Sequence, residues 1–446
     1  MTNNNDMAEL PPAPPLQIAG QEHPLRATVL AEVHARPYEI LQGPLRVSHL
    51  ALVTGPDGTL AQTEHSHLEE LCGAHGVQPP APGVSHFSQD LGPFRLRWER
   101  HQEFSTYTFF CPGAESEPFK EPAITLLPTE WLARLPGQLL AATHLVLEQQ
   151  GAAPRTLQTL EQCFMADSLA GSEVARGAAR AFTDFRLHAD GFTRMLVEDR
   201  SLAPRRAGRL VQRLLEIETY RLMALLAFPL ARQISPEMAR LEQALESLTS
   251  RMIESRRLDD DQALLQSLSE LAARVEQLMA QSSFRLSAAQ AYDRLIEQRI
   301  ERLREQRIHD LQTMGNFLER RLAPAMRTCA SVAQRLEALA RRVSRTANLL
   351  RTRVDVALEA QNRDLLSAMN RRTQLQLRLQ ETVEGLSVVV LSYYVIGLLA
   401  YVAKGTNAAG FLRLPVDLGL GLAVPIVVGG IWVAMRILRR RQARSG

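Results

Sequence analysis

Apolar and polar positions alternate through much of the first two hundred residues. "RVSHLALV", "FRLRWERH", "FSTYTFF" and "QLLAATHLVLE" are rich in β-branched and aromatic residues, and each reads as a strand. The second and third lie close enough to pair as a hairpin. In "ARAFTDFRLHADGFTRMLVE", Asp190-Gly191 separates two alternating runs and predicts another hairpin. Helical stretches interrupt the strands. "LRATVLAEVHAR" follows Pro24, which suits a first helical position, and stops at Pro37, with His34 as a contact at the helix end. "AQTEHSHLEELCGAHG" ends at Gly73 or Gly76. Residues 21–200 are expected to form a mixed α/β domain. Residues 1–20, polar and then Pro-rich, are expected to be a disordered tail.

After Pro204 the period changes from two to that of a helix. Residues 201–385 are rich in Leu, Ala, Arg, Glu and Gln and poor in Gly, the composition of long helices. Breaks are expected at Pro229, at Ser235-Pro236 (an N-cap and first-turn pair) and at "RRLDDD". Three moderate helices then precede a longer one from near Ser287, which Pro324 interrupts or kinks. Beyond Ala325, Val332, Leu336, Leu339, Val343, Leu350, Val354, Leu358, Leu365 and Met369 recur at coiled-coil spacing. Steps of four at Leu350, Val354 and Leu358 mark a local shift toward eleven-residue packing. A helix running unbroken to Ala403 would be on the order of 120 Å long.

Residues 386–435 hold two apolar runs, Leu386–Ala403 and Leu418–Met435, without a charge. Each is close to the roughly 20 residues that span a bilayer. Arginines crowd the tail, 436–446, and Arg371, Arg372 and Arg378 precede the first run. The connecting loop offers only Lys404, Arg413 and Asp417. The positive-inside rule therefore puts both termini in the cytoplasm. Glu381, Gly385, Val388, Ser392, Val395, Leu399, Val402 and Thr406 share one face of the first span. That face either lines a pore shared between subunits or packs helices together through Gly385 and Ser392. As a pore it places Glu381 and Glu384 at an inner collar, Ser392, Val395, Leu399 and Val402 along the wall, and Gly405, Thr406 and Asn407 at the outer mouth. Tyr393 and Tyr394 lie mid-span, where hydroxyls need partners, so oligomers are expected.

The 446 residues carry a formal net charge of +3, which argues against a nucleic-acid protein with a broad basic face. The cysteines, Cys72, Cys111, Cys163 and Cys329, include no C-x-x-C pair and suit a reduced setting. His65 and Glu69 stand four apart, with His67 nearby. A metal there would need further ligands, so the metal assignment stays unknown. No P-loop, dinucleotide glycine pattern, G-x-S-x-G or H-E-x-x-H occurs, and no enzyme or resident cofactor is expected.

"HPLRATVLAEVHARPYEIL…RVSHLAL", "TDFRLHADGF" and "RTQLQLRLQETVEGLSVVVLSYYVIGLL" resemble a bacterial family of uncharacterised membrane-anchored proteins, over most of the chain. The order of elements also resembles CorA-type magnesium transporters, the two-transmembrane Gly-x-Asn class. Gly405-Thr406-Asn407 falls at that motif's place and "ILRRRQAR" at the basic tail, while Thr406 replaces the usual Met and Lys404 an aromatic. The resemblance implies an α+β cytoplasmic domain, a long-helix stalk and a transmembrane hairpin. It implies a homo-oligomer, a pentamer on the CorA pattern, in the inner membrane. Asn407 would meet a hydrated divalent cation such as Mg²⁺. The expectation is a CorA-like channel or transporter. The alternative is a non-conducting membrane-anchored scaffold or sensor.

Overall fold

The computed structural model describes residues 23–442 except 27–28, 31–36, 57, 114–116 and 409–415. The tail expected over 1–20, His34, Arg413 and the last four residues lie outside that set. Arg26, Val29 and Leu30 are helical, as the stretch after Pro24 predicts. In chain order the elements are β1 (Leu45–Val53), α1 (Ala61–Ala74), β2 (His86–Asp90), β3 (Arg95–Arg100), β4 (Phe104–Pro112), α2 (Thr129–Ala133), β5 (Gln138–Leu147) and α3 (Leu157–Glu161). There follow β6 (Ala170–Val174), β7 (Ala179–Thr183), β8 (Thr193–Asp199), α4 (Pro204–Leu225), α5 (Ala227–Glu254), α6 (Leu258–Leu303), β9 (Gln306–Arg307), α7 (Met314–Arg321), α8 (Ala323–Ala408) and α9 (Val416–Gln442).

Among the described residues the strands make one sheet, ordered β2-β3-β4-β1-β5-β8-β7-β6-β9. Only β5 and β8 pair in parallel. Alternation sorts the side chains onto two faces. On one, Leu50, Leu52, Leu96, Trp98, Tyr107 and Phe109 pack against Leu68 and Leu71 of α1 and Trp131 of α2. Burying one such side chain contributes roughly 1.5–3 kcal/mol. The other face carries His49, Arg97, Glu99, Thr106 and Thr108, and α4 covers it. Contact is close there: a Cβ on Gly208 of α4 would lie 1.8 Å from the Glu39 carbonyl oxygen.

The chain divides into two compact units. The first holds the described residues up to Ser247 together with Glu270–Ser344. The second holds Leu248–Ser269 and the described residues from Arg345 onward. Within the first, three sequence expectations are corrected. Ser235-Pro236 does not break a helix; Pro236 sits inside α5. The apolar stripe through Ala231, Ile234 and Met238 is buried, and that packing outweighs the amide bond proline cannot make. The run expected from near Ser287 past Pro324 ends at Leu303. The chain then returns to the sheet as β9, which pairs with the edge strand β6. The Glu305 carboxylate accepts from the Ser172 hydroxyl and from the amides of Met314 (3.0 Å) and Gly315 (2.9 Å), closing the entry to α7. Pro324 opens α8 rather than kinking it, because a first-turn residue has no amide bond to lose. Finally, the strands flanking Asp190-Gly191 do pair, but they end at Thr183 and resume at Thr193. Asp184 stops the first of them. Its buried carboxylate accepts from the amides of Met165 (2.9 Å) and Arg186 (3.1 Å) and sits 3.0 Å from His188 Nε2.

In the second unit the chain turns between α5 and α6 at Ser255–Arg257, within the expected "RRLDDD" break. Arg353 of α8 fastens that turn. It donates to the carbonyls of Met252 (2.9 Å) and Ser255, and its Nε lies 2.9 Å from Asp261 Oδ2. The seam on α8 is buried from Val332 to Val354, whereas Leu358, Leu365 and Met369 are exposed. Among the described residues α8 is the one helix long and apolar enough to cross a membrane; Gly421–Ile437 is a shorter apolar helix.

Candidate functional site

Sheet register builds a row of polar side chains in the first unit. Arg97 on β3 faces Thr108 on β4, which faces His49 on β1, which faces Thr143 on β5, which faces Thr193 on β8. Directly opposed residues share a face, so these five lie side by side beneath the helices. A second polar stripe, Gln212, Glu216 and Thr219, runs along α4 at helical spacing and meets the row.

The two stripes interlock. His49 Nδ1 lies 2.8 Å from Thr108 Oγ1, and its Nε2 lies 3.1 Å from Thr219 Oγ1. Burial lowers the His49 pKa to about 4, so the ring is neutral at pH 7; one nitrogen donates and the other accepts. Arg97, almost wholly buried, donates to Gln212 Oε1 (3.2 Å) and Glu99 Oε1 (2.9 Å). Burial pushes the Glu99 carboxyl up, but the Arg97 guanidinium, with His101 and His86, holds it below its ordinary value. Gln212 donates to Glu216 (2.8 Å), which also accepts from Arg299 of α6. Among the described residues, Arg97 Nε is buried without a hydrogen-bond partner.

These groups wall a cavity of about 240 Å³, closed further by Leu41, Phe104, Val211 and Leu215. Its acids and arginines are already paired, so it is no open anion site. Arg97 and Glu99 stand together in its wall, joined through Glu99 Oε1. Such a chamber can hold a small molecule with both a negative and a positive group. Sequence reasoning passed over it because Arg97 and Glu99 look like the wet face of a strand. The signal was on α4: Gln212, Glu216 and Thr219 share a helix face with the apolar Val211 and Leu215, and that face is wholly or partly buried rather than solvated.

The residues singled out near the C-terminus are placed as follows. Ser392 is buried by the chain itself and donates to the Val388 carbonyl (2.6 Å). Val388 and Val395 are half-buried, while Leu399 and Val402 are 44% and 62% exposed. The middle of the expected pore stripe is thus partly covered within one chain, as helix packing through Ser392 requires, while its inner end at Glu381 and Gly385 is exposed. Glu381 is exposed; Glu384, Thr406 and Asn407 lie on α8, with side chains outside the described set. Gly405, Thr406 and Asn407 form the end of α8 rather than a turn, since no helix breaker precedes them. At the amino-terminal histidines, His65 pairs with Glu69 (3.3 Å) and His67 stacks on Trp131 (4.2 Å between centroids). Among the described residues no group of three His, Cys, Asp or Glu could hold a metal. All four cysteines are free thiols.

Fold and site define a mixed α/β body with a half-open polar chamber, continued by long helices of which one is apolar enough to span a bilayer. The chain matches over residues 21–442, and belongs to, the family described as protein of unknown function (DUF3422). No curated protein and no solved structure matches it.

Proposed function

We propose that the chain is a membrane-anchored sensor whose α/β body takes up a small molecule bearing both charges, a free amino acid being the simplest case. The observation that carries this reading is the chamber under α4, with the Arg97–Glu99 pair in its wall. A carboxylate would face the Arg97 guanidinium and an ammonium the Glu99 carboxylate, each in place of part of the pairing these two make with one another. The volume, about 240 Å³, is below the roughly 300–1,000 Å³ of pockets that take drug-sized ligands, which limits the occupant to a small molecule. The apolar end of α8, followed by α9, would hold the body to the bacterial inner membrane. The arginines from Arg436 onward would keep both termini cytoplasmic.

Thermal unfolding of the full chain in mild detergent, against a panel of free amino acids, tests this. One class should raise Tm and saturate, and Val211→Leu, which fills the chamber, should abolish the rise. If no amino acid shifts Tm and Val211→Leu is simply more stable, the chamber is a packing void and the reading fails.

A second reading keeps the CorA-like layout. In it a homo-oligomer, a pentamer on that pattern, conducts Mg²⁺ or another divalent cation. Glu381 and Glu384 stand at the inner collar and Gly405, Thr406 and Asn407 at the mouth. The exposure of Leu399 and Val402 favours it, since a pore wall needs side chains free of their own chain. Liposomes holding the protein should then pass Mg²⁺, Co²⁺ or Ni²⁺, less so with Asn407→Ala; verified oligomers without flux would end this reading.

A further inference from the structure

The seam of α8 loses its cover just past Arg353. Leu350 is wholly buried and Val354 is 6% exposed where Arg353 fastens the α5–α6 turn. From Leu358 to Leu386 every side chain of known burial is exposed. Yet the pattern continues. Leu358, Leu365, Leu379 and Leu386 are each separated by seven residues or twice seven. Met369 and Val383 lie four residues after Leu365 and Leu379, and Asn362 four after Leu358. Two largely apolar rows at three- and four-residue spacing, interrupted by Asn362, Arg372 and Gln376, are the seam of a coiled coil. A lone helix cannot keep such a row in water: single helices are marginal without tertiary packing, and contiguous apolar patches draw partners.

We propose that Leu358–Leu386 of α8 pairs in parallel with the same segment of a second copy, as a two-stranded coiled coil. Three features select a second copy. The open seam continues, on the same helix, one the protein already uses for packing. Acids and arginines are interspersed along the segment, Glu359 with Arg363 (3.8 Å) among them, so two copies meet no field of one sign. Leucine occupies the first row except at its centre, Arg372, and Asn362 sits in the second, where a buried asparagine fixes register and favours two strands. The parallel direction rests on the anchoring proposed above, since both copies would enter the bilayer by the same end. The ligand reading is not used.

Cysteine cross-linking of the full chain in membranes tests the proposal, with the wild type, which keeps its own four thiols, as background. Leu365→Cys and Leu379→Cys should each give a band at twice the chain mass with a short bis-maleimide. Ser367→Cys and Gln374→Cys, on the opposite face, should match the background. The intact mass in mild detergent should be that of two chains, and Leu365→Asp with Leu379→Asp should halve it. A monomeric mass, a partner of different mass, a ladder reaching five chains, or linkage only between Leu358→Cys and Leu386→Cys on mixed copies would each overturn it. The last alone would also count against anchoring by one end, and none of the four bears on the chamber.

Discussion

Two buried histidines tie this fold to pH. His49 lies between two threonine hydroxyls; His144 meets Ser48 (3.0 Å) and stacks on Phe192 (3.7 Å between centroids). Burial is the chief cause that lowers each from 6.5 to about 4. The unfolded chain therefore binds protons that the folded one refuses. Stability is full above pH 6.5 and falls as pH drops toward 4, by roughly 3 kcal/mol per histidine. Tm measured across that window should fall on acidification, and His49→Gln should remove part of the slope. A flat profile would mean that water reaches the rings. Glu64 has the opposite sign: burial is the chief cause and raises its pKa, so its ionisation costs stability as pH rises. Neither role could be read in the sequence, because a histidine inside "RVSHLALV" gives no hint of which face a helix will cover.

Elements with a clean period were legible. β1, the β3–β4 hairpin, β5, α1 and the turn at Ser255–Arg257 follow alternation and turn chemistry. What was not legible depended on distant partners. β9 is two residues long and exists because β6 leaves an edge open. Local sequence marks Pro236 as a boundary, yet burial of Ile234 and Met238 holds α5 together through it. Since Pro236 itself is exposed, Pro236→Ala should restore an amide bond without disturbing the packing. The urea midpoint should rise, corresponding to about 1–3 kcal/mol. A fall would show that α5 needs the proline's bend. The coiled-coil seam on α8 was legible as a pattern, but not the point, after Val354, where the chain stops covering it.

For the whole molecule, the sequence carried membership of the family over residues 21–442 and the succession of sheet, long helices and apolar ends. It did not carry the chamber, which needs β1, β3, β4, α4 and α6 brought together before Arg97, Glu99 and Arg299 acquire meaning. The middle of the pore stripe reads differently once Ser392 is found buried within its own chain. Under the proposed reading the apolar helices anchor, and the chamber is the place where chemistry is selective. Equilibrium dialysis of labelled amino acids against the detergent-solubilised full chain tests this most directly. The account predicts saturable binding of one class at one site per chain, lost in Val211→Leu. No binding by any amino acid, alongside cation flux that depends on Asn407, would contradict it.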